Sequence, residues 1–320
     1  MTAAAEEIKA CCAAAYGSEA VRRLLGDRLH PGGAALTARL IDALGGGRGA
    51  LVADVACGAG ASALQAVEQA RCRVVGIDIA PTNVERARAA VAAAGLADRA
   101  RFVCGDAEAL PLDDASVDGV LCECALCMFP DKRVAVREIA RVLRPGGVLA
   151  LSDMTAEPGE LPGELRSLAA WIACIGDARP LDELAELLNA NGLDVTRRER
   201  HDTALRDLVE RADARLRLAR AMRSSLPAEL AGSIERGLAI AAVAQEAVAS
   251  GALGYGVIVA RRSRHAPTTA SPLATEAPTT RTSPSGRRPA PARTRPPART
   301  GASSRPASST SRSGRRAPPK

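Results

Sequence analysis

From about residue 34 onward, short apolar runs closed by turn residues alternate with longer segments whose apolar side chains recur every three or four positions. The short runs read as buried strands and the longer segments as amphipathic helices. Their alternation predicts repeated βαβ units around a parallel sheet. "ALTARLIDALG" carries a helical stripe and stops at Gly45, and "ALVADVACGAG" is a first strand entering a glycine turn, followed by a helix at "ASALQAVEQA". The second strand, "CRVVGIDI", ends around Asp78, and Pro81 opens the next helix, where a missing N–H costs nothing. "ARFVCGD", "VDGVLCECAL" and "VLALSD" supply strands three to five, the last preceded by the helix "KRVAVREIARVLR" and a turn at Pro145, Gly146 and Gly147. Helices around "ELRSLAAWIACIG" and "LDELAELLNANG", a strand "LDVTRRERH", helices between 203 and 250 and a last strand "GYGVIVARR" follow. The expected fold is α/β: a Rossmann-like, doubly wound sheet of seven strands with helical insertions, its ligand edge at the carboxyl ends of the strands. The organisation is an N-terminal helical lid over 1–33, a main domain over 34–262 and a disordered tail over 263–320.

The tail changes the reading of charge. It is built from Pro, Arg, Ser, Thr, Ala and Gly, with almost no apolar side chain to offset the entropy of ordering it. It holds twelve of the basic residues against the single acid Glu276, so the formal charge of +7 belongs to the tail and the rest is mildly acidic. An arginine-rich tail could hold nucleic acid or an anionic surface through screened charge, which leaves a non-catalytic, tethered binding module as one reading. Glu6, Glu7 and Lys9 interrupt the N-terminus before any secretory core forms, and Gln245 and Glu246 break the longest apolar region. A cytoplasmic location with reduced thiols and no membrane partner is expected. The nine cysteines are then packed, reactive or ligating rather than paired in disulfides.

"DVACGAG" supplies Asp54, Gly58 and Gly60, an incomplete dinucleotide turn with an acid four residues before its first glycine. A phosphate there would be repelled. S-adenosylmethionine carries no phosphate, and its cationic end suits Asp54. Asp78, closing the second strand, is placed to accept from both ribose hydroxyls, and Asp106, after the third, from the adenine amine. Taken singly, each acid is also an ordinary turn or helix cap. Three acids at three successive strand ends, followed by "RPGG" before the fifth strand, resemble the class I S-adenosylmethionine-dependent methyltransferases over roughly residues 34–155. That resemblance implies S-adenosylmethionine as cofactor, held by Asp54, Gly58, Gly60, Asp78 with its neighbour Ile79, Asp106 with its neighbour Ala107, and Glu123. No "NPPY" follows the fourth strand, so no specific nucleic-acid substrate is expected.

Its place is taken by "CECALCMFPDK". A zinc site would want paired CxxC knuckles or histidines at ligand spacing. Only one CxxC is present, Cys124 to Cys127, while His30, His201 and His265 are scattered and offer no obvious catalytic base. No metal site is expected. Cys57, Cys72, Cys104 and Cys122 read as packing. The stretch "ECALCMFPDK" resembles the close of the fourth strand in arsenite methyltransferases, with Glu123 where that family has asparagine, and "CIGDARPLDELAELLNANGL" resembles a later segment of the same family. The resemblance implies a trivalent arsenic substrate held by Cys124 and Cys174, with Cys11, Cys12 or Cys127 as a third thiolate and thioredoxin or glutathione as reductant. Soft arsenic prefers such ligands. The alternative keeps the methyl donor and takes a small organic acceptor for C-, O- or S-methylation, with the cysteines lining an apolar pocket.

Overall fold

The computed structural model describes residues 3–16, 30–157, 159–166, 175, 177–222 and 228–264. The tail reading over 263–320 therefore falls almost entirely outside the described residues, as does Cys174. Helix α1 (Ala3–Tyr16) precedes α2 (Gly33–Leu44), β1 (Leu51–Val55), α3 (Ala61–Ala70), β2 (Arg73–Asp78), α4 (Pro81–Ala93), β3 (Ala100–Cys104) and β4 (Val117–Glu123). After a 3-10 turn at Leu126–Met128 come α5 (Lys132–Val142), β5 (Leu143–Ala156), α6 (Leu181–Asn189), β6 (Leu193–Arg200), α7 (Asp202–Ala221), α8 (Ala228–Ser250) and β7 (Leu253–Arg262).

The seven strands form one sheet in the order β3-β2-β1-β4-β5-β7-β6. The first five run parallel and β7 enters antiparallel between β5 and β6, so the expected seven-stranded, doubly wound α/β sheet is the architecture observed. Period-two alternation divides the strand residues between two cores. Val52 and Leu121 face the layer of α2, α3, α4 and α8, whereas Ala53, Val55, Val120 and Cys122 face α5 and α6. On α2 the stripe Leu36, Leu40, Ile41 and Leu44 is buried, and Gly45 ends the helix at φ 64. Pro81 opens α4, and the Asp131 side chain caps α5 by accepting from Val134 N–H.

Two details depart from the sequence reading. The fifth strand is longer than "VLALSD", taking in Leu143 to Ala156: Leu143 pairs with Val117 of β4 at its start, and β7 pairs from Val148 through to Ala156. Cys104, read as packing, is exposed at the end of β3. Among the described residues no helix is long and apolar enough to cross a membrane.

Candidate active site

The carboxyl ends of β1, β2, β3 and β4 open onto one cavity of about 200 Å³, which α1 and the entry to α2 also line. Two strand ends shape it. Ala56 after β1 and Cys124 after β4 both take positive φ, at 60° and 53°, and β1 and β4 are neighbours with Val55 opposite Cys122. Side chains at positive φ are uncommon and cluster where a site is held by its surroundings. Cys124 is secured in this turn by donating its N–H to Ser152 O at 2.7 Å.

The three acids expected to meet a cofactor all line this cavity, and each is held differently. Both oxygens of Asp78 are engaged: Oδ2 accepts from Gly58 N–H at 2.8 Å, and Oδ1 accepts from Ala80 N–H at 2.9 Å and Asn83 Nδ2 at 3.2 Å. It braces the glycine turn, and a carboxylate still has lone-pair capacity beyond three bonds. Asp106 accepts from Glu108 N–H at 2.9 Å and pairs with Lys9 of α1 at 2.7 Å, while Lys9 also reaches Glu108 at 2.6 Å. Asp54 is 3% exposed, and its Oδ2 has no partner. Burial, then the negative charges of Glu123 and Asp78, push its carboxyl well above the usual range. Glu123 Oε2 is likewise buried without a partner.

Two coupled carboxylates with unanswered oxygens in one cavity form a site for a cation able to donate hydrogen bonds. The residues thus fit the ammonium-bearing, phosphate-free cofactor expected from the sequence. Gly58, Ile79 and Ala107 line the same cavity. Gly60 does not. It caps α3 at φ 83, where a Cβ would come within 2.9 Å of Ala87 Cβ and 3.1 Å of Phe102, so its role is close packing behind the turn.

The cysteines separate. Cys12 from α1 and Cys124 line the cavity, while Cys11 and Cys127 are not part of its wall. Cys127 is buried, and its N–H is donated to Asp153 Oδ2 at 2.6 Å. Cys122 is core, its thiol pushed well above the ordinary value by burial and then by Asp153. Cys57 lines the cavity but is also pushed up, by burial and then by Asp54 and Asp78, which disfavours a thiolate. Among the described residues no cluster of three His, Cys, Asp or Glu is arranged to hold a metal.

His30 belongs to the site although its position in the sequence gave no sign of it. It lines the cavity, with Nδ1 3.8 Å from Glu123 Oε1 and 3.3 Å from Pro31 O. Its Nε2 lies 3.5 Å from Thr37 Oγ1, and Thr37 donates to Glu123 Oε1 at 2.9 Å. Ala13, Ala125, Met128, Phe129 and Pro130 give the remaining wall an apolar character.

Comparison with known proteins places this geometry beside known relatives. Residues 53–151 match the methyltransferase domain family. The chain is 33% identical over 172 residues to methyltransferase GfsG of Streptomyces halstedii, covering 53% of this chain and 62% of that one. It is 36% identical over 188 residues to the 27-O-demethylrifamycin SV methyltransferase of Amycolatopsis mediterranei, covering 54% and 68%. An arsenite methyltransferase of Halobacterium salinarum is 30% identical over 151 residues, which is 46% of this chain but 38% of that protein. Among solved structures, phosphoethanolamine N-methyltransferase 2 of Haemonchus contortus, in complex with S-adenosyl-L-methionine, shares the fold with a TM-score of 0.68 at 16% identity, over 80% of this chain and 60% of that one.

Proposed function

Because the chain belongs to the class I S-adenosylmethionine-dependent methyltransferases, we propose that it methylates a small organic acceptor bound in the cavity bordered by α1 and the turn after β4. S-adenosylmethionine supplies an electrophilic methyl group on a sulfonium sulfur. The side chains have separate tasks toward it. Asp54 and Glu123 present unpaired oxygens to its ammonium, Asp78 faces the ribose diol, and Asp106 faces the adenine amine. Met128, Phe129, Pro130, Ala125 and Ala13 exclude water and orient an apolar acceptor against the donor.

The observation that carries this reading is the composition of the cavity: an acidic cofactor edge continuous with a mainly apolar wall that holds one imidazole. The relatives named for O-methylation of organic molecules support it. The test is incubation of the full chain with methyl-labelled donor and a panel of small phenols, alcohols and thiols, with arsenite plus glutathione as a parallel arm. Label in organic product is the expected result, and label in arsenic alone reverses the order of the two readings.

One observation favours the metalloid reading as a second possibility: Cys12 and Cys124, from distant segments, line a single cavity. Under that reading trivalent arsenic is held by these thiolates, with Cys174 as a further ligand and a thiol reductant such as thioredoxin or glutathione as partner. Cys12→Ser and Cys124→Ser then abolish arsenic methylation while donor binding persists. Deleting residues 265–320 leaves either activity intact, whereas a tethered binding module would lose a salt-sensitive partner.

A further inference from the structure

We infer that Glu108 is a positioning residue that couples donor binding to the acceptor wall: it holds α1 when adenine claims Asp106, and it ties the start of α5 to the same carboxylate. This deepens the proposed function and rests on its assignment of the adenine amine to Asp106. Glu108 is not part of the cavity wall, and its side chain, 7% exposed, touches three regions at once. Its N–H donates to Asp106 Oδ1 at 2.9 Å. Its Oε2 accepts from Lys9 Nζ of α1 at 2.6 Å, and its Oε1 accepts from Asp131 N–H at 2.9 Å. Asp131 caps α5 and follows Pro130, which lines the cavity. The segment that carries Glu108 has little slack, because Leu110 N–H donates to Glu138 Oε2 at 2.8 Å and Arg141 donates to Leu110 O at 3.0 Å.

Lys9 is shared between two carboxylates, 2.7 Å from Asp106 and 2.6 Å from Glu108. An adenine amine arriving at Asp106 competes with the ammonium for the same oxygens. The ammonium then rests on Glu108, so α1 stays docked while the donor enters. A carboxylate held by two charge-assisted bonds has little freedom left, and a wall ordered in advance costs less to bind against. The donor thereby orders Asp131 and Pro130 before an acceptor meets them, and an acceptor binds more tightly to the donor-loaded protein.

Amide exchange of the full chain, with and without saturating S-adenosylhomocysteine, tests this without any acceptor. In the wild type the ligand should slow exchange roughly 5-fold or more in α1 and at Asp131, besides the amides next to Asp106. Glu108→Ala removes both anchors, and it should keep the protection beside Asp106 while losing it in α1 and at Asp131. Glu108→Gln preserves the shape of the side chain but offers one acceptor oxygen. It should retain protection in one of the two segments and lose it in the other, a split that a general loosening of the fold does not produce. Equal protection of either segment in wild type and Glu108→Ala overturns the inference while leaving the cofactor site intact. A wild type that binds S-adenosylhomocysteine without protecting the amides beside Asp106 overturns the adenine assignment and the coupling with it.

Discussion

Asp54, Asp78 and Asp106 stand at the ends of consecutive strands, where backbone amides of Gly58 and Ala80 brace Asp78 and that of Glu108 braces Asp106. The rest of the cavity wall is gathered from far apart: Cys12 and Lys9 from α1, His30 from the entry to α2, and Cys124 to Pro130 from the turn after β4. The first region is built on the strand ends and braced mainly by backbone. The second exists only when α1, α2 and β4 meet. Cofactor binding should therefore respond to changes in the braced edge, and acceptor chemistry to changes in the assembled wall.

The largest expected effect lies behind the braced edge. Gly60→Val places a branched side chain at φ 83 against Ala87 and Phe102, combining backbone strain with overpacking. About 3 kcal/mol or more of stability should be lost, seen as a large fall in Tm and the absence of S-adenosylhomocysteine binding. A normal Tm would mean that the turn is more plastic than its contacts imply.

Asp54→Asn should act in opposite directions on stability and on ligand. A folded-state pKa raised by burial means that the native protein binds a proton more tightly than the unfolded chain, so stability falls as pH rises above the unfolded value. The amide removes that penalty. Unliganded Asp54→Asn should melt a few degrees above wild type at pH 7, and the gap should close as pH is lowered toward about 4. S-adenosylhomocysteine affinity should fall roughly 10- to 100-fold, from loss of a charge-assisted bond. A lower Tm at pH 7 would show that the acid is structural.

Smaller effects test the assembled wall. Cys124→Gly relaxes the positive φ of 53° and should gain at most about 1 kcal/mol, raising Tm slightly while donor affinity holds. Lys9→Met removes the pairs of this lysine with Asp106 and Glu108. Faster amide exchange confined to α1 is expected, with S-adenosylhomocysteine affinity changed less than about 5-fold. A larger loss of affinity would move Lys9 into the cofactor region and dissolve the contrast.

The same contrast explains what could be read in the sequence. Strand periodicity, Gly45, Pro81 and the acids at the strand ends are local signals, and they carry the strand positions, the βαβ order and the three acids that line the cavity. His30 is not legible as a site residue because Glu123, which it approaches, lies 93 positions away. Cys11 and Cys12 were equivalent by spacing, yet the facing of α1 sends only Cys12 into the cavity. Cys127 looked like a companion of Cys124 until the 3-10 turn buried it behind the wall.

The position of β7 bears on how the molecule is made. This strand joins β6 to the sheet and donates the Tyr255 hydroxyl to Ser152 Oγ at 2.9 Å, across a sequence separation of 103 residues. Ser152 is the residue whose carbonyl secures the turn at Cys124. Until Leu253 to Arg262 insert, β5 has an unpaired edge and β6 has no neighbour, so this late, long-range pairing should be the slow event in folding. A chain stalled before it would carry a formed cofactor turn beside an unfinished acceptor wall, prone to join its open edge to a second copy of itself.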